Sequence, residues 1–146
     1  MAYTSKALMI ARWGTDEVTR SADRDPQDGV SEDDAIAAAC EDASSLVDSY
    51  LVKAGIVVPV DPAPAVLVMH ATNVAMYELS QGVGAAYTEE KRKRFEDAIS
   101  WLKTMASGSG DLPGIEPANK PTRRVRAGGF PLAYGAEKLR GTGGLL

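Results

Sequence analysis

Apolar residues recur every three or four positions along three stretches of the chain, which predicts three long α-helices. These stretches cover residues 31–54, 64–81 and 88–107. Ser31 is a natural N-cap for the first helix, and Gly55 supplies a left-handed end to it. In the second stretch apolar residues face almost every direction, which indicates a helix at the centre of a bundle or an oligomer. The predicted fold class is therefore all-α.

Two shorter helices are predicted near the N-terminus. The first covers residues 6–13, with Thr4 or Ser5 as its cap, and the second covers residues 16–22, with Thr15 as its cap. The expected architecture is a small helical bundle of three long and two short helices.

The helical periodicity ends at residue 108, and Gly and Pro recur from there to residue 146. This segment holds too many apolar residues for a passive linker, so we predict an extended arm that becomes ordered on a partner. The chain then has two parts, a helical body over residues 1–107 and an extended Gly/Pro-rich basic arm over residues 108–146. The arm residues predicted to contact the partner are Arg123, Arg124, Arg126, Phe130, Leu132 and Tyr134.

The charge distribution agrees with this division. The 146-residue chain has a net charge of −4 and 25% charged residues. Residues 1–107 hold ten Lys/Arg and seventeen Asp/Glu, a net charge of −7, whereas residues 108–146 hold six and three, a net charge of +3. A basic arm predicts an acidic partner, which is either nucleic acid or another copy of the acidic body. No apolar run approaches the roughly 20 residues that a membrane span needs, so no membrane partner is expected.

A run of four basic residues opens the third long helix. On an amphipathic helix such a run is typical of a solvated face, paired here with the neighbouring carboxylates of Glu89, Glu90, Glu96 and Asp97. The alternative is a basic patch that faces DNA in a channel or a neighbouring subunit. The run consists of Lys91, Arg92, Lys93 and Arg94.

The sequence offers no recognisable catalytic set. It has no phosphate-binding Gly-rich loop with a Lys-Ser/Thr pair and none of the nucleophile or zinc motifs that enzymes of this size carry. Its single cysteine, Cys40, predicts a packed thiol, and one His with one distant Cys does not predict a zinc site. We therefore expect no catalytic residue, no cofactor and no resident metal, and a binding or structural role.

Two polar features have mainly structural interpretations. Asp23, Asp25, Asp28 and Asp34 partly follow the spacing of a calcium-binding loop, but Gly29 is at the seventh position instead of the sixth, and a capped loop is favoured. On the apolar second long helix, His70 and Asn73 are interpreted as a satisfied polar pair in the core or at an interface.

The ordered set of short motifs resembles a family of small proteins from Mu-like phages and prophages. The set begins with Met-Ala-Tyr, continues with Arg-aromatic-Gly and an Asp-Arg-Asp loop, and ends with an Arg-aromatic-Glu-Asp-Ala helix carrying Trp-Leu. The matching positions are residues 1–3, 12–14, 16–17, 23–25, 48–51, 58–59, 64–67 and 94–102.

This resemblance implies a head-to-tail adaptor of long-tailed phages. Such proteins are helical, form a ring of about twelve subunits beneath the portal protein, and let DNA pass through the ring. The implied partners are other copies of the chain, the portal protein and a neck stopper or tail terminator. The implied location is the neck of the virion, after synthesis in the host cytoplasm. A neck stopper or tail-completion protein is the alternative within this class. A small DNA-binding regulator that uses residues 91–94 and the basic arm is the alternative outside it.

Overall fold

The structure is a computed structural model of the chain, and it describes residues 2–23, 29–81 and 87–116. Within these ranges the chain forms five α-helices and no β-strand. They are α1 (Lys6–Trp13), α2 (Thr15–Ala22), α3 (Glu32–Lys53), α4 (Ala65–Ser80) and α5 (Glu89–Ala106). The predicted all-α bundle of three long and two short helices is confirmed. The arm from residue 117 onward lies outside the described residues.

Helix α4 occupies the centre of the bundle, as its apolar circumference predicts. It packs most extensively against α3 and α5, and it also contacts α1 and α2. Its buried residues point in several directions, and Leu67, Val74 and Leu79 have no solvent exposure. On α3, the small side chains of Ala39 and Ala43 face the core and allow a neighbouring helix to approach closely.

The N-termini of three helices, α1, α3 and α5, follow local capping rules. The hydroxyl groups of Ser5, Ser31 and Thr88 each accept a hydrogen bond from the backbone N–H three residues further on. Thr15 is different, because it lies inside α2 and does not cap it. Gly14 precedes it with φ of +89°, so the chain turns at the glycine and α2 begins at once.

The end of α3 is a Schellman motif, as Gly55 predicts. Gly55 has φ of +79°. Its N–H donates to the carbonyl of Val52, and the N–H of Ile56 donates to the carbonyl of Leu51. The segment that follows forms no strand. Residues 56–64 cross the bundle as an irregular segment, which we name the strap, and Ile56 and Val60 of this segment are buried in the core.

Residues 108–116 continue from α5 into the same core. Leu112 is only 3% exposed and packs in the cluster that contains Leu102 and Met105. The division of the chain after residue 107 stays a prediction, but a truncated body that keeps this packing has to extend to Glu116.

Tyr3 connects the N-terminal segment to two other parts of the fold. Its hydroxyl group donates to Asp48 Oδ1 at 2.5 Å and accepts from the N–H of Val60 at 3.0 Å. Its backbone N–H donates to Ser44 Oγ at 2.9 Å. Burial and the hydrogen bond to Asp48 raise the pKa of Tyr3 to about 12. One buried side chain therefore holds the N-terminus, α3 and the strap together.

Replacement of Tyr3 by Phe is expected to lower the free energy of unfolding by about 1–3 kcal/mol, because the buried N–H of Val60 loses its acceptor. Urea denaturation checks this value. Tyr87→Phe is the control, since Tyr87 is 42% exposed. An equal effect of the two substitutions would contradict the role assigned to the Tyr3 hydroxyl group.

Candidate functional site

The predicted partner-binding residues of the arm, from Arg123 to Tyr134, lie outside the described residues, and their role stays a prediction. The acidic loop is described only at its ends. There Asp34 accepts a hydrogen bond of 2.7 Å from the hydroxyl group of Ser31 and belongs to the helix cap. Across residues 2–23, 29–81 and 87–116, no group of three or more His, Cys, Asp or Glu side chains is arranged to hold a metal ion.

The structure corrects the predicted basic patch at Lys91. This residue is 1% exposed and cannot belong to a surface. Its ammonium group lies 2.5 Å from Glu17 Oε1 and 3.0 Å from Ser21 Oγ, both on α2. The reason is helical spacing, because position 91 lies on the same side of α5 as the buried Ala98 and Leu102. The charge of Lys91, interpreted from the sequence as part of a solvated face or, alternatively, of a basic patch, instead joins α5 to α2.

The other members of the run lie at the surface and are largely paired with carboxylates. Arg92 forms ion pairs with Glu89 and, at 2.9 Å, with Glu96. Arg94 forms an ion pair of 2.6 Å with Glu90. The hydrogen bond and the charge of Arg92 lower the pKa of Glu89. Pairing with neighbours on the same helix face agrees with the solvated-face interpretation.

Replacement of Lys91 by Met is expected to lower the free energy of unfolding by about 1.5–3 kcal/mol, since Glu17 and Ser21 lose a charged donor. The control is Lys93→Met on the exposed side of α5, with an expected effect within about 0.5 kcal/mol. Chemical denaturation of both variants measures the difference. A neutral or stabilising Lys91→Met would mean that desolvation of the buried ion pair offsets its attraction.

His70 and Asn73 are buried, but they do not form the satisfied pair that the sequence predicted. The imidazole ring of His70 stacks on Trp101, with ring centroids 4.5 Å apart and an interplanar angle of 22°. Neither His70 Nδ1 nor Asn73 Oδ1 has a hydrogen-bond partner among the described residues. Stacking covers the ring without offering a donor or acceptor. Burial lowers the pKa of His70, the charge of Arg12 lowers it further, and Asp97 acts in the opposite direction.

The lowered pKa of His70 predicts a loss of stability in acid. The unfolded chain takes up the proton more readily, so the contribution of neutral His70 is present above pH 6.5 and is lost as the pH falls through the folded-state pKa. An NMR titration of this single histidine should give a midpoint below 6.5. His70→Phe should show a smaller loss of unfolding free energy between about pH 6.5 and pH 5. A midpoint at or above the ordinary value would contradict the prediction.

A groove with two arginines runs between α1, α4 and α5, with a volume of about 400 Å³. We name it the arginine groove. The guanidinium group of Arg94 lies 4.4 Å from the ring centroid of Trp13. Arg12 is exposed and forms no ion pair within the described part of the chain. The residues that line the groove are Leu8, Ala11, Arg12, Val68, Thr72 and Arg94.

The solvent side of α3 carries the opposite charge. We name this surface the acidic face, and it consists of Ala38, Glu41, Asp42, Ser45 and Ser49, all exposed. Beside it lies Glu78 of α4, whose pKa is raised by burial and also by the negative charge of Asp42. None of these three carboxylates forms an ion pair with a described residue. The core side of α3 holds Cys40, whose Sγ lies 3.6 Å from Met9 Sδ, as expected of a packed thiol.

Comparison with known proteins agrees with the resemblance drawn from the motifs. A sequence model of the family described as Bacteriophage Mu, Gp36 matches residues 3–128. The chain belongs to this family. A relative, the Mu-like prophage FluMu protein gp36 of Haemophilus influenzae, is 39% identical over 74 residues, which are 51% of this chain and 50% of the relative. The match thus spans about half of the length of that gp36 protein.

Sequence reasoning missed the roles of one buried residue and of two residues at the arginine groove. These are Tyr3 of the Met-Ala-Tyr motif, and Arg12 and Trp13, which the sequence placed in the Arg-aromatic-Gly motif at the end of the first short helix; their contacts were not predicted. The motifs were the available signal, because helical periodicity accounts neither for an exposed Arg beside an aromatic residue nor for a Tyr that precedes the first helix. Among the described helices of this gp36-family chain, none combines the length and apolar character needed to cross a membrane.

Proposed function

We propose that this protein is a structural component of the phage particle that acts as a head-to-tail adaptor. In this role copies of the helical body form a ring between the portal protein and the tail, and DNA passes through the ring. The observation that carries the proposal is membership of the Mu gp36 family over residues 3–128, together with the ordered motifs that resemble phage neck proteins. The proposed location is the neck of the virion.

The shape and charge of the body support an assembly role. The outer side of α3 presents small residues between carboxylates, which permits a neighbouring subunit to approach closely. The arginine groove presents positive charge on other helices of the same body. Two different complementary surfaces on one subunit are what a closed ring with a heterologous interface requires. In this proposal residues 1–107 form the ring wall and the arm contacts the portal or a neighbour.

The proposal assigns no enzymatic activity to the chain. Cys40, the one thiol, is buried, and burial raises its pKa, which disfavours a nucleophilic thiolate. His70 is covered by Trp101 and has a lowered pKa. Within the described part of the chain, neither group forms a hydrogen bond with an acid that could orient it, as nucleophilic catalysis requires.

The alternatives differ in how the structure supports them. A neck stopper or tail-completion role uses the same kind of helical body and stays open within the class. A DNA-binding regulator is less well supported, because Lys91 is buried and Arg92 and Arg94 are paired with carboxylates. Sequence-independent DNA binding depends on free cations that replace counterions. Non-specific contact with DNA inside a channel requires fewer such cations and remains part of the adaptor proposal.

Light scattering of the purified chain, alone and with the portal protein of the same phage, tests the adaptor role. We expect the full chain to form or join a large ring, and a chain truncated after Glu116 to keep its fold but to lose portal binding. The boundary at Glu116 keeps Leu112 in the core. Circular dichroism of the truncated chain is the control for folding. Full-length protein that stays monomeric and ignores the portal, but binds DNA with a strong salt dependence, would favour the regulator.

A further inference from the structure

The described body has two oppositely charged surfaces without an assigned partner, namely the arginine groove and the acidic face. We propose that the arginine groove of one copy receives the acidic face of α3 from the next copy, and that this contact is the lateral interface of the ring. The inference rests on the proposed adaptor function and names the surfaces by which subunits would join.

The groove has the features of a site for an acidic helix. Its lining from Leu8, Ala11 and Val68 is apolar, and Leu8 is 42% exposed. The guanidinium groups of Arg12 and Arg94 stand at the same groove. Arg94 is held over Trp13 and keeps an ion pair with Glu90, whereas Arg12 has none in the described part of the chain. An apolar surface beside two guanidinium groups suits a helix that carries carboxylates between small side chains.

The acidic face supplies that helix. Ala38, Ser45 and Ser49 are small, so the backbone of α3 can enter a shallow groove. Glu41 and Asp42 stand between them, and within the described residues no cation neutralises either carboxylate. Glu78 adds a third negative charge close to Asp42, and its pKa is raised by burial and by that neighbour. An arriving guanidinium group would relieve the repulsion between these two carboxylates.

The two surfaces lie on different elements. No residue of α3 lines the arginine groove, which is formed by α1, α4 and α5. Each copy therefore offers both halves of the contact at once, one to each neighbour. Such a heterologous interface gives a closed ring if the rotation between copies closes, and a filament if it does not.

Charge exchange between two variants tests this interface. The groove variant is Arg12→Glu/Arg94→Glu, and the face variant is Glu41→Arg/Asp42→Arg. Each variant alone is expected to self-associate at least about tenfold more weakly than the natural chain, because like charges would meet at the contact. An equimolar mixture is expected to regain association. In a ring where the two variants alternate, the negative groove of the groove variant meets the positive face of the face variant. The unchanged groove of the face variant meets the unchanged acidic face of the groove variant, so opposite charges meet at every contact. The measurement is sedimentation velocity up to about 1 mM protein, or the same comparison on the portal-bound ring.

Lys53→Glu/Lys103→Glu is the matched control for the groove variant, since it makes the same change in net charge at exposed positions outside the groove. It should associate like the natural chain. Circular dichroism checks that every variant is folded. If Arg94→Glu disturbs Trp13, the single pair Arg12→Glu and Asp42→Arg replaces the double variants, because neither residue has an ion pair with a described residue.

The outcomes separate this inference from the proposed function. If both variants assemble like the natural chain, the inference is overturned and the adaptor role is unaffected. If the charge variants assemble normally but the chain truncated after Glu116 does not, the arm makes the contact between subunits, which also overturns the inference. If the natural chain neither self-associates nor joins the portal, both the inference and the adaptor role fail. The inference is supported if each variant alone self-associates weakly and the equimolar mixture of the two regains association.

Discussion

The apolar circumference of α4 is the constraint on which the rest of the fold depends. A helix with buried residues on several sides has to be surrounded, so α3 and α5 pack along it and α1 and α2 cover what remains. The burial extends to polar residues, since His70 and Asn73 each have a buried polar atom without a partner among the described residues. Burial of an unpartnered polar atom costs free energy. Stacking on Trp101 covers the apolar face of the His70 imidazole ring, but it does not replace the hydrogen bond that Nδ1 lacks among the described residues. The outward sides of α1, α3 and α5 are then the surfaces left for partners.

Two buried polar contacts determine how the short helices and the N-terminus are placed on this core. Lys91 joins α5 to α2 through Glu17 and Ser21, and Tyr3 joins the N-terminal segment to α3 and the strap. Thr4 adds a hydrogen bond of 2.8 Å to Thr72 of α4. These contacts fix the start of α1 on α4. The position of α1 in turn places Arg12 at the groove that Arg94 also lines. The buried hydrogen bonds near the N-terminus therefore help to determine where positive charge lies on the surface.

The charges of the arginine groove and the acidic face are segregated on the described body, and this segregation is the basis of the proposed lateral interface. The carboxylates of Glu41 and Asp42 on α3 lie on the same side as Glu78, whereas the guanidinium groups of Arg12 and Arg94 lie at a groove lined by α1, α4 and α5. Most exposed charges of α5 are instead neutralised by neighbours three or four positions away. Exposed pairs of this kind contribute little to stability, but they leave little free positive charge on α5 for DNA. The remaining free charges favour another copy of the chain as the lateral partner in the proposed ring.

The sequence by itself determined the features that depend on residues within about four positions of one another. These include the five helices, the cap at Ser31, a cap for α1 at Thr4 or Ser5, the glycine end of α3 and the central place of α4. Even here the predicted N-cap at Thr15 was wrong, because the chain turns at Gly14 and Thr15 is already the first residue of α2. The tertiary structure alone decided the burial of Lys91, the partners of Tyr3 and the meeting of Arg12 with Arg94. Lys91 and Glu17 are 74 positions apart, and Tyr3 and Val60 are 57 apart. Helical periodicity shows which side of a helix is apolar, but only the packing of helices shows which distant polar group meets it there.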